Sequence, residues 1–142
     1  MKICSYKGLS LVIMLRDEHC PPHVHVDGGA WGARFVFSFW HNGVELLDVT
    51  PLSRRPPLAV LEGLRQTLKQ AAHLRRARCV WWVKLHTTCL RNQLWDSQAN
   101  EMVLINRNPK VIRRIASARY DLKGNTTLME LVGACEGVEI EL

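Results

Sequence analysis

The sequence predicts an α+β fold: an N-terminal antiparallel β-meander packed by one long amphipathic helix over residues 1–85, and a smaller α/β extension packed on it over residues 86–142. Three observations carry that expectation. Leu9 to Leu15 is an apolar run after Gly8, too short for a typical helix and rich enough in Val and Ile for a buried strand. Phe35, Phe37 and Phe39 share one face of an extended chain by period-two spacing. Leu58, Leu61, Leu64, Leu68, Ala71 and Ala72 recur instead at helical spacing.

Taken in order, Leu9 to Leu15 is the first expected strand, Val24 to Asp27 the second, and Gly28-Gly29 a turn into a third over Ala33 to Trp40. His41-Asn42-Gly43 reads as a hairpin turn, because Asn-Gly supplies the positive φ angles of a two-residue connection, and Val44 to Val49 then returns antiparallel. Pro51, Pro56 and Pro57 bracket a loop, and a proline pair suits a helix start, where the missing amide proton costs little. The helix is expected from Pro57 to Arg78. Periodicity does not separate strand from helix at Val80 to Leu85, which holds Trp81-Trp82; strand is the preferred reading.

Met102 to Ile105 reads as a short strand, and Asn108-Pro109 as an N-cap followed by proline at the first helical position. A basic helix is expected from Pro109 to Tyr120, broken at Gly124-Asn125, with a shorter helix over Thr127 to Ala134 and an edge strand over Val138 to Leu142. The two helices faintly resemble a helix-turn-helix, but the second carries no basic residue to meet DNA.

The chain has 142 residues, 47% of them hydrophobic, and a formal net charge of +6, with a pI near 9.4. That length supports one sizeable core, or a small domain with a second subdomain. No run approaches the roughly 18 apolar residues of a membrane helix, and the start lacks the apolar stretch of a secretion signal, so a cytoplasmic protein without membrane partners is expected. The five cysteines, Cys4, Cys20, Cys79, Cys89 and Cys135, are scattered and never paired as C-x-x-C, and read as reduced thiols. Basic residues gather at Arg54 to Arg91 and at Lys110 to Lys123, whereas Glu130, Glu136, Glu139 and Glu141 make the end acidic. Such asymmetry points to a polyanion or an acidic protein as partner.

The densest chemistry lies in Asp17 to Val26, D-E-H-C-P-P-H-V-H-V, with three histidines and a cysteine beside a proline pair. On an extended chain His23 and His25 leave the same face, and His19 stands just before the prolines. Imidazole nitrogen and thiolate sulfur suit zinc or another borderline metal, and His19, Cys20, His23, His25 and Asp27 offer enough atoms for three or four ligands. The cluster also suits general acid–base work, with Asp17 or Asp27 orienting a ring. A purely structural role is the third option, the imidazoles bonding to backbone and acids near a sheet edge.

These residues carry a resemblance. Gly8 before the apolar strand, the H-x-P-P-H-x-H core at His19, Pro21, Pro22, His23 and His25, and Arg54-Arg55 leading into the Leu58 helix resemble a bacterial domain-of-unknown-function family, number four-one-six-zero. The resemblance covers about the first 80 residues and implies a compact α+β domain, a β-meander followed by one helix. It also implies a place in a toxin-antitoxin-like arrangement. The C-terminal 60 or so residues are an elaboration beyond that pattern.

Two functions follow, from different classes. The first is a binding module of a toxin-antitoxin-like or mobile-element system, contacting nucleic acid or an acidic protein through Arg65, Lys69, His73, Arg75, Arg76, Arg113 and Arg114. The second is a small metal- or histidine-dependent hydrolase, such as a ribonuclease, using His19, His23 and His25. Whether the chain is an enzyme stays open at this stage. The binding module needs no cofactor, and the hydrolase calls for zinc or another transition metal. Five tryptophans in 142 residues add the option of a homo-oligomer, since aromatic residues are enriched where chains meet.

Overall fold

Lys7 and Gly8, both with positive φ (45° and 81°), turn the chain tightly between β1 (Lys2–Tyr6) and β2 (Leu9–Val12), which pair from Tyr6↔Leu9. The computed structural model describes residues 1–16 and 18–142, which form two units, Met1–His86 and Thr87–Leu142. In the first, β3 (His23–Asp27), β4 (Gly32–Val36) and β5 (Glu45–Thr50) extend the hairpin into an antiparallel sheet of order β1-β2-β3-β4-β5. The expected meander is therefore present, with β1 as a strand beyond those foreseen.

Alternation along the strands sets the two faces. Leu11, Val24, Val26, Ala33 and Phe35 are buried on one face. The other carries a cross-strand row through the pairs Val12↔His25, His25↔Arg34 and Arg34↔Asp48. The Phe37 and Phe39 side chains are buried as expected, but lie past the end of β4 in an irregular stretch leading to β5.

The single helix expected from Pro57 to Arg78 is two helices, α1 (Leu58–Lys69) and α2 (Ala71–Leu85). Gln70 between them is extended, with ψ 136°. The Thr67 carbonyl, released from the helical ladder, accepts instead from the Gln70 amide (3.4 Å) and the His73 ring N–H at Nδ1 (2.6 Å). Apolar periodicity is intact on both sides of the break, so spacing alone does not reveal it. Trp81-Trp82 belongs to α2 rather than to a strand, and the helix ends at His86 in the left-handed conformation. Leu61, Leu64, Leu68, Leu74, Ala77 and Trp81 are the buried apolar residues of the two helices, which both contact β1.

The second unit corrects the expected α/β extension. It is an antiparallel sheet of β6 (Leu94–Asp96), β7 (Glu101–Val103), β8 (Ile112–Asp121), β9 (Thr126–Leu131) and β10 (Val138–Glu141), in the order β10-β9-β8-β6-β7. The helices expected at Pro109 to Tyr120 and Thr127 to Ala134 are the hairpin β8–β9, turned through Asn125 at φ 51°. A register shift between Ile115 and Ser117 interrupts the alternation and brings buried Ile115 and Tyr120 to one face although they are five apart, while buried Ile112 and Ile115 stand three apart, a spacing that mimics a helix. Cys4, Cys79 and Cys135 are reduced, outside any disulfide. Cys20 and Cys89 are disulfide-bonded, a correction to the expectation that all five are reduced.

His41 makes the fold sensitive to acid. The Gly43 amide donates to its Nδ1 (2.9 Å), which fixes a neutral ring. Burial, helped by Arg78 and opposed by Glu45, holds its pKa below the ordinary imidazole value. An unfolded chain therefore takes up a proton near pH 6.5 that the folded one refuses, so stability is full above that pH and falls as pH drops toward the folded value. His41→Asn keeps an acceptor for Gly43 and removes the titration. Its urea midpoint is expected to change less between pH 7 and pH 5 than that of the native chain; an unchanged slope would contradict this assignment.

Candidate metal centre

The segment before Pro21 folds back so that the Glu18 carboxylate meets both imidazoles of β3. Glu18 Oε1 accepts from His25 Nε2–H at 2.9 Å, and Oε2 lies 3.1 Å from His23 Nε2. The Glu18 and His23 side chains are each only 2% exposed, whereas that of His25 is 21% exposed. One ligand atom from each of the three falls within 4.8 Å of the others. Two ligands 2.0–2.1 Å from a tetrahedral ion stand roughly 3.4 Å apart, so small side-chain rotations suffice to close the set.

The hydrogen bonding of His23 decides what can lie between these groups. Its Nδ1–H donates to the Pro21 carbonyl at 2.8 Å. Burial lowers its pKa, against the upward pull of that carbonyl and of Glu18, so the ring is held toward its neutral form. Nε2 then carries a lone pair and faces the lone pairs of Oε2. The contact is close, but it fails the geometry of a hydrogen bond, and Oε2 is buried with no hydrogen-bond partner among the described residues. A buried carboxylate oxygen without a donor is costly. A cation bound by Nε2 and Oε2 removes that cost, and a backbone carbonyl holding Nδ1–H is the usual outer support of an Nε2 ligand.

The surroundings are equally specific. The His19 ring stands edge-on to His23, centroids 5.6 Å apart, outside the Glu18–His23–His25 set. Cys20 offers no thiolate, being disulfide-bonded. Asp27 turns its Oδ1 to the Gly29 amide (2.8 Å), and Asp17 lies outside the described residues. Beside His25, Arg34 clamps Asp48 through Nε (3.0 and 3.1 Å) and Nη2, which holds the Asp48 carboxyl below the usual range. His25, Arg34 and Asp48 line one side of a groove of about 530 Å³ whose other walls include Val12, Met14, Trp31 and Pro51.

The basic residues expected to form a binding face lie on α1, α2 and β8. Arg65 donates to Glu62 through Nε and Nη2 and to the Val44 carbonyl through Nη1, and its bonds help pull the Glu62 pKa down to about 2. Arg76 donates twice to the Lys2 carbonyl, and His73 is held by Thr67. Lys69 and Arg75 are exposed on either side of the Gln70 break. Arg113 and Arg114 lie on β8, where they donate to the Val132 carbonyl (3.4 Å) and to Asn92 Oδ1 (3.2 Å). They do not share a helix face with the others.

Glu18 is the residue that sequence reasoning missed. Its only signal was its place within seven residues of both imidazoles, since the path of a loop ahead of prolines has no periodicity to read. Among the described residues no helix is long and apolar enough to cross a membrane. The chain matches no family model, no curated protein and no solved structure, so the resemblance of the H-x-P-P-H-x-H core rests on the motif alone.

Proposed function

We propose that this chain is a small metal-dependent hydrolase that holds one divalent transition metal ion through Glu18, His23 and His25. The observation that carries the reading is the buried Oε2 of Glu18, which faces His23 Nε2 and has no donor among the described residues. Two imidazoles and one carboxylate are a familiar ligand set for catalytic zinc, and three protein ligands leave a position for water. The same set also suits iron(II). His25, the most exposed of the three, lines the groove, so that position can meet a substrate there.

A divalent ion in such a site lowers the pKa of a bound water to about 7 and supplies hydroxide at neutral pH. Held by Glu18, His23 and His25, the ion would supply the hydroxide for attack on a carbonyl carbon or a phosphorus, with the leaving group taking up the proton released from the water. In this reading His23 is oriented by the Pro21 carbonyl, and His25 would offer Nε2 to the ion as the tautomer that carries its ring proton on Nδ1. The zinc-loaded full chain is expected to turn over 4-nitrophenyl acetate or bis(4-nitrophenyl) phosphate, to lose that turnover with 1,10-phenanthroline, and to regain it with zinc. The His23→Ala, His25→Ala double variant should keep its circular dichroism and show no metal-dependent turnover. Absence of metal-dependent turnover of both compounds by the native chain would overturn the reading.

A module that contacts nucleic acid or an acidic protein remains the second reading, supported by the formal charge of +6. Its support is reduced where Arg65, Arg76, Arg113 and Arg114 already donate within the chain.

A further inference from the structure

We infer that the groove beside His25 takes the acyl side of an uncharged ester or amide with an aryl or branched alkyl group next to the scissile carbonyl, an inference that rests on the metal reading above. The groove is large enough for a small molecule, about 530 Å³, and Val12, Met14, Trp31 and Pro51 give it apolar walls. Trp31 packs against Gly28. Its indole lies over the bare Cα of Gly28, so close that a Cβ on Gly28 would come within 2.1 Å of the ring.

Charge decides between an uncharged and an anionic substrate. Asp27 and Asp48 line the groove, Glu18 stands behind His25, and Arg34 is the sole guanidinium among the lining residues. Three carboxylates against one guanidinium leave a double negative charge, which a divalent ion cancels and does not reverse. Arg34 is also neutralised locally by its two-nitrogen clamp on Asp48. The loaded groove therefore offers no net attraction to a phosphodiester or a carboxylate, in contrast to sites built to hold polyanions. Arg34 Nη1 has no acceptor among the described residues, which leaves one donor for a substrate carbonyl oxygen.

Hydroxamic acids with different bodies separate the groove from the metal, because the chelating group is constant. Binding of acetohydroxamic acid, benzohydroxamic acid and 4-carboxybenzohydroxamic acid to the zinc-loaded full chain is measured by calorimetry. Benzohydroxamic acid is expected to bind roughly tenfold more tightly than acetohydroxamic acid. That advantage should vanish in Trp31→Ala and in Gly28→Ala, which displaces the indole, while both variants retain one equivalent of zinc. The carboxylate-bearing analogue should lose the advantage in the native chain. Equal affinity for the first two, or tighter binding of the carboxylate, with zinc and acetohydroxamic acid still bound, overturns this inference and leaves the metal reading standing. Failure to retain zinc, with no hydroxamate bound, overturns both.

Discussion

Glu18→Gln is expected to bind zinc at least 100-fold more weakly than the native chain and yet, free of metal, to be the more stable protein. Losing even an outer-shell partner of a metal site costs about 10–100-fold in affinity, and a ligand should cost more. The gain in stability has a separate cause. In the native chain Oε2 is buried without a donor among the described residues and faces the His23 Nε2 lone pair at 3.1 Å. A glutamine amide of the same shape can donate to that lone pair, while its carbonyl oxygen keeps the bond from His25 Nε2–H. Relieving one unsatisfied buried acceptor is worth about 1–3 kcal/mol. Zinc titration in competition with a chromophoric chelator, and thermal melts in excess chelator, read the two effects separately. A structural role for the cluster predicts the opposite sign for the melt, since Glu18 would then be a satisfied partner whose loss destabilises.

Arg78→Met is expected to cost about 3–5 kcal/mol of stability. The Arg78 residue is 1% exposed, and its guanidinium donates to the carbonyls of Ser38 (2.8 Å) and His41 (2.9 Å) and to Asn42 Oδ1 (2.9 Å). Those acceptors belong to the irregular connection between β4 and β5, which has no ladder of its own to satisfy them. Methionine fills much of the same volume but leaves the acceptors unpaired. Lysine at this position keeps the charge but lacks the planar fork that reaches several acceptors, so Arg78→Lys should fall between the two. Urea denaturation checks the order; a loss below about 1 kcal/mol for the methionine variant would show that water takes over these contacts.

What was legible in the sequence depended on whether an element announces itself by spacing. The valines of β3 and the leucines of α1 did, because burial on one face imposes periods of two and 3.6 residues. The break at Gln70 did not, because the capture of the Thr67 carbonyl by His73 is a local hydrogen bond between residues that also suit a continuous helix. In β8, the register shift after Ile115 broke the strand alternation, and the Asn108-Pro109 pair supplied a false helical start. The candidate site was half legible for a related reason. His23 and His25 share a strand face, which alternation predicts, whereas Glu18 reaches them through a loop whose course depends on tertiary packing.

The most direct measurement is the zinc stoichiometry of the untagged full chain after dialysis, beside that of the His23→Ala, His25→Ala variant. A single metal centre at Glu18, His23 and His25 predicts one equivalent in the native chain and none in the variant. No bound metal in the native chain, or the same content in both, would contradict it.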